Sequence, residues 1–108
     1  MDDNGIHGLI LSAHAAKIML ETSKEEYLQE VPDDNTYEAR VDFARFSMEK
    51  INAASPRVKS IFQYCFDNEN YDENKELFNG LEQSDREEFQ ELRNQWEAKK
   101  AELNLKDD

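Results

Sequence analysis

The 108-residue chain holds one cysteine, two histidines, two prolines and three glycines, and each scarcity removes a class of protein. Cys65 alone cannot close an intramolecular disulfide, so a disulfide-stapled scaffold is excluded. Two histidines and one thiol fall short of a Cys/His zinc site. An unpaired thiol belongs most naturally in a reducing compartment, which points to the cytoplasm. Long apolar runs are missing as well. The most apolar segment, Ile6 to Leu20, is interrupted by His7, Ser12, His14 and Lys17, and nothing approaches the roughly 18 apolar residues of a membrane span. Met1-Asp2-Asp3 places acid where a secretory leader carries Lys or Arg, so no leader is expected.

Motifs that carry chemistry are equally scarce. There is no Gly-rich phosphate loop, no nucleophile elbow and no HExxH spacing. His7 and His14 lie seven residues apart on one side of a helical segment, and Cys65 falls in an apolar stripe, where a thiol behaves as a small core residue. The sequence therefore nominates no catalytic residue, no cofactor and no metal, and predicts a non-enzyme. The segment Asp67-Asn68-Glu69-Asn70-Tyr71-Asp72-Glu73 is rich in oxygen ligands, yet it fails the EF-hand frame. Counting from Asp67 puts Asp72 where glycine is required and Phe78 where the bidentate Glu must sit.

Basic residues are few. Thirteen Lys and Arg face 25 Asp and Glu, a formal net charge of −12, which disfavours direct contact with nucleic-acid phosphates or anionic lipid. A charged partner should instead be basic. The acids are unevenly spread, with a net −6 from Glu21 to Glu38, −8 from Asp67 to Glu91, and +3 between them from Arg40 to Lys59. Solvated helix faces and first-turn acids account for much of this. The sharper reading is a docking surface centred on Asp67, Glu69, Tyr71, Asp72, Glu73 and Glu76, with Tyr64 as a further aromatic anchor. Carboxylates three and four residues apart on a helix stand about 5–6 Å apart, not far from phosphate spacing, so one form of this reading is a DNA mimic.

What the chain does have is a helical pattern. Leu, Ile, Val and Phe make up 23 residues and the aromatics 11, enough for a folded core in a single domain over residues 1–108. Apolar residues recur at threes and fours rather than twos, which predicts an all-α bundle of four main helices and one or two short ones. A first helix is expected from Gly5 to Glu21. Ser23 with Glu26 opens a short second one that stops before Pro32. Asn35 with Glu38 caps a third, to about Ala54, with the stripe Tyr37, Val41, Ala44, Met48 and Ile51. Ser55-Pro56 starts a fourth with Val58, Ile61, Phe62, Cys65 and Phe66 in its stripe. A short turn from Glu73 to Asn79 ends at Gly80, and Ser84 with Glu87 opens a last helix whose seam is Phe89, Leu92, Trp96 and Leu103. Residues 105–108 are expected to fray.

The first helix is apolar nearly all round, with Leu11, His14 and Ile18 flanking its main face, and the third carries Phe43 and Phe46 away from its stripe. Both helices should therefore be central, and the five flanking residues are candidates for self-association as a homodimer. Two functional classes follow. The first is a non-catalytic inhibitor, antagonist or adaptor that docks on a basic surface of a larger protein. The second is a structural or assembly protein whose helices complete an oligomer and whose acidity serves solubility.

Overall fold

A computed structural model describes residues 2–33, 35–68 and 71–105, with the backbone alone for Tyr71. Glu69, Asp34 and residues 106–108, which the sequence reading also used, lie outside the described residues. Six helices and no strand occur among the described residues, so the expected all-α bundle is what forms. The long helices are α1 (Asp3–Glu21), α3 (Tyr37–Asn52), α4 (Pro56–Asp67) and α6 (Gln83–Glu102). The short ones are α2 (Lys24–Glu30) and α5 (Tyr71–Asn79).

Helix starts follow capping chemistry, and those of α1, α3 and α6 differ from expectation. Asp2 accepts the Gly5 amide at 2.7 Å, which satisfies a first-turn donor and starts α1 two residues early. Ser23 and Ser55 cap as anticipated, accepting the Glu26 and Val58 amides at 3.1 and 3.3 Å. For α3 the cap position passes from Asn35 to Thr36, whose hydroxyl accepts Arg40 Nε at 2.9 Å. For α6 it passes from Ser84 to Glu82. There Asp85 accepts the Glu82 amide at 3.1 Å and also pairs with Arg57 Nε at 2.8 Å. Asp85 thus closes the helix start and ties it to α4, a double engagement that the Ser84 and Glu87 pairing does not offer. The turn expected around Glu73 is a nine-residue helix.

α1 packs against α3, α4, α5 and α6, which makes it the hub that its two-sided apolar pattern implies. Ile6, Leu9, Ile10 and Ala13 from α1 meet Val58, Ile61, Phe62 and Cys65 from α4 and Phe89, Leu92 and Trp96 from α6 in one buried cluster. Phe62 is its centre. Its ring centroid lies 5.5 Å from Phe89, 6.2 Å from Trp96 and 6.1 Å from Phe66, spacings at which tilted rings attract beyond their burial alone. α6 buries only its seam and leaves its charged back exposed.

α6 ends in a defined turn. Asn104 adopts φ 57°, and the amides of Asn104 and Leu105 reach back to the carbonyls of Ala101 and Lys100 at 3.2 and 2.9 Å. This is a Schellman motif, with a left-handed residue terminating the helix. It turns Leu105 back onto the core, where it is partly buried.

Candidate docking surface

α4 and α5 form a helical hairpin that runs antiparallel. At one end Arg57 Nη2 donates to the Gly80 carbonyl at 3.2 Å; at the other Asn68 Nδ2 donates to the Glu73 carboxylate at 2.6 Å, and Asn74 Nδ2 donates to the Asn68 carbonyl at 2.8 Å. α5 is held by Phe78, which is fully buried, and by the buried Asn74. With those two residues fixed inward, helical spacing turns Asp72, Glu73, Glu76 and Leu77 outward, and all four are exposed.

Between the two helices lies an open cavity of about 530 Å³ lined by Ile61, Tyr64, Leu77 and Leu81, with Arg57, Ser60 and Gly80 at its α4 start. Tyr64 is 47% exposed and Leu77 36%, an unusual pair of large apolar side chains on a surface otherwise rich in charge. Asp67 ends α4 one turn beyond Tyr64 and accepts a long hydrogen bond from Gln63 at 3.4 Å. The only base lining the cavity among the described residues, Arg57, is engaged by Asp85. Its charge is thereby offset, and the hairpin face carries the sign of Asp67, Asp72, Glu73 and Glu76, opposed by Lys75.

Of the six residues expected at a partner site, Asp67, at the end of α4, and Asp72, Glu73 and Glu76, on α5, are each exposed. The side chain of Tyr71 lies outside the described residues, like Glu69. Leu77 was missed because nothing in the sequence distinguishes it from a core residue until Phe78 and Asn74 are known to point inward.

The self-association candidates divide differently. Leu11 and Ile18 are 55% and 50% exposed and, with the exposed Ala15, form a strip along the outer face of α1. His14 is half-buried and packs on Phe66, ring centroids 5.5 Å apart. Phe43 belongs to the buried core, with the Lys100 ammonium 5.5 Å above its ring. Phe46 is partly buried against that core, between the ammonium groups of Lys50 and Lys99 at 5.3 and 5.4 Å. The fold itself thus covers the two phenylalanines, by core packing and by the lysine stems that snorkel across them.

Cys65 is buried, and burial pushes its thiol up to about 11, the opposite of the depressed value that activates a nucleophile. No group of three or more His, Cys, Asp or Glu among the described residues is arranged to hold a metal ion. No helix among them is long and apolar enough to cross a membrane. No protein family, curated sequence or solved structure matches the chain.

Proposed function

We propose that the chain is a non-catalytic protein-binding module, an antagonist or adaptor, whose α4–α5 hairpin docks on a basic amphipathic segment of a larger protein. The observation that carries this reading is the Tyr64 and Leu77 pair, exposed over a 530 Å³ trough between two helices whose exposed residues include Asp67, Glu73 and Glu76. Interfaces draw their energy from a few apolar or aromatic anchors and their orientation and on-rate from surrounding charge. A segment with apolar residues at helical spacing between lysines or arginines meets both demands. If the partner's surface is one that binds nucleic acid, duplex DNA will compete with the chain for it.

The test is affinity capture from the native host with wild type, Asp72→Lys/Glu73→Lys/Glu76→Lys and Tyr64→Ala/Leu77→Ser. Supporting the proposal requires one dominant basic protein, held by wild type, lost from both variants, and released as salt rises from about 0.05 to 0.5 M. A partner retained equally by the charge-reversed variant moves the site elsewhere. Because these side chains are exposed, the variants should keep wild-type helical circular dichroism, the charge-reversed one melting slightly lower because it loses the acceptor of Asn68 Nδ2 and the acids of the first turn of α5.

A second reading rests on the exposed strip of Leu11, Ala15 and Ile18. An apolar strip on the outer face of a hub helix fits a two-fold contact between copies of the chain, narrowed from the five residues expected to these α1 positions.

A further inference from the structure

Two of the three glycines follow asparagine, at Asn4-Gly5 and Asn79-Gly80, and the fold holds the two pairs differently. An asparagine before glycine is prone to cyclise. The glycine backbone nitrogen attacks the asparagine Cγ, an approach that a Cβ on the following residue hinders and that the backbone freedom of glycine eases. The glycine N–H must first give up its proton, and the peptide unit between the two residues must rotate out of its place in the fold. What holds that N–H therefore sets the rate.

At Asn4-Gly5 it is held tightly. The pair lies in the first turn of α1, where the Gly5 amide donates to the Asp2 carboxylate at 2.7 Å. A negatively charged acceptor strengthens the bond and opposes loss of the proton. Rotation there would also break the bond from the Ile6 amide to the Asp2 carbonyl at 3.1 Å and disturb the ion pair of Asp3 with Arg86 at 2.9 Å. Ile6, fully buried, anchors the other side of the pair in the core.

At Asn79-Gly80 the same dipeptide ends a helix. Asn79 is the last residue of α5, and both residues are exposed. The Gly80 amide donates to a neutral acceptor, the Leu77 carbonyl, at 3.2 Å, the long edge of the usual range. Rotation beyond Asn79 leaves the helical bonds of α5 in place. It displaces only the turn, where the Leu81 amide meets the Phe78 carbonyl at 3.1 Å and the Gly80 carbonyl meets Arg57 Nη2 at 3.2 Å.

We infer that Asn79 is a site of spontaneous deamidation in the folded protein, and that the cap of α1 protects Asn4 from the same reaction. The Gly80 nitrogen loses its proton and bonds to Asn79 Cγ, the Cγ–Nδ2 bond breaks, and the amide nitrogen leaves as ammonia. A five-membered succinimide remains, and water opens it. Addition of water at Cγ gives aspartate at position 79 with the normal chain; addition at the main-chain carbonyl carbon gives isoaspartate, with the chain routed through Cγ. One water enters and one ammonia departs, with no change of oxidation state. Both products fall on the rim of the α4–α5 trough, which Arg57, Gly80 and Leu81 line. Aspartate sets a negative charge at the C-terminal end of α5, and isoaspartate lengthens the main chain before Gly80 by one carbon.

The experiment is incubation of the folded chain at 37 °C and pH 8, followed by peptide mapping in a mass spectrometer and enzymatic methylation of isoaspartate. Asn79 should convert at least about tenfold faster than Asn4, the ratio expected if the two openings differ by roughly one charge-assisted hydrogen bond. In urea, with the fold removed, the two rates should converge. Gly80→Ala, whose added Cβ meets nothing closer than the Leu77 carbonyl oxygen at 3.6 Å, should keep the fold and slow Asn79 by at least about tenfold. Asp2→Ala should speed Asn4 in the folded chain and leave Asn79 unchanged. An unmodified Asn79, an Asn4 that converts as fast as Asn79 in the folded chain, rates that stay apart in urea, or a Gly80→Ala or Asp2→Ala variant without effect each overturn the inference. No partner enters any of these measurements, so their outcome is independent of the docking proposal.

Discussion

Cys65 illustrates how one residue's surroundings set its chemistry. It lies 3% exposed in the core cluster, and desolvation disfavours the thiolate, raising the thiol from 9.0 to about 11. Two consequences are measurable. In the native protein at pH 8, Cys65 should resist a thiol reagent until unfolding exposes it, so labelling should track the denaturation curve; stoichiometric labelling of the folded chain would contradict the burial. Stability should also depend on pH with a definite sign. Below pH 9 both states hold the proton and the contribution is constant. Between 9 and about 11 the unfolded state releases it first, so stability falls with a limiting slope of about 1.4 kcal/mol per pH unit. Cys65→Ala should lack that component of the slope. At another residue, Asp85→Ala removes both the acceptor of the Glu82 amide and the partner of Arg57. Arg57 is half-exposed and regains water, so the loss should be that of a helix cap, about 1–2 kcal/mol. Asp85→Asn, which keeps an acceptor but not the charge, should fall between it and wild type in a thermal melt.

At the scale of the helix, what the sequence discloses depends on whether the deciding contact is local. Ser23, Ser55 and Pro56 act within one turn, and the starts of α2 and α4 were legible from them. The start of α6 was not, because Asp85 is preferred through Arg57, which lies 28 residues earlier in the chain. The four exposed acids of the hairpin were legible as charge, whereas the apolar half of that surface was not. Leu77 is exposed only because Phe78 and Asn74 fix the rotation of α5. The C-terminal turn went unseen for a different reason: an Asn followed by Leu signals a left-handed cap only weakly. That cap yields a prediction. Asn104 pays a conformational cost at φ 57° that glycine does not, so Asn104→Gly should raise stability by up to about 1 kcal/mol. Asn104→Val, β-branched and disfavoured at positive φ, should lower it and release Leu105 from the core. Amide exchange at Leu105 would report the release, and unchanged protection in the valine variant would rule out the motif as the anchor.

For the whole molecule the balance lies between apolar surface that favours association and a charge that opposes it. Two copies of charge −12 repel, and the acidic α2 and α4–α5 faces cannot lie within a contact between them without strong opposition. On α1, Leu11, Ala15 and Ile18 present exposed apolar side chains. A two-fold contact would set the strip against itself. Since its attraction is apolar and its opposition electrostatic, such a dimer should tighten as salt screens the repulsion, whereas docking of a basic partner on α4–α5 should weaken. Salt therefore separates the two modes of association. Sedimentation of wild type and of Leu11→Glu/Ile18→Glu at micromolar concentration provides the measurement. A dimer should appear in wild type, strengthen from about 0.05 to 0.5 M salt, and vanish in the double variant, which should remain helical because both substituted side chains are half-exposed. A monomeric wild type at both salt concentrations would refute self-association outright. A dimer that survives in a folded double variant would clear the α1 strip. It would then leave Tyr64 and Leu77 as the exposed apolar pair to mutate next.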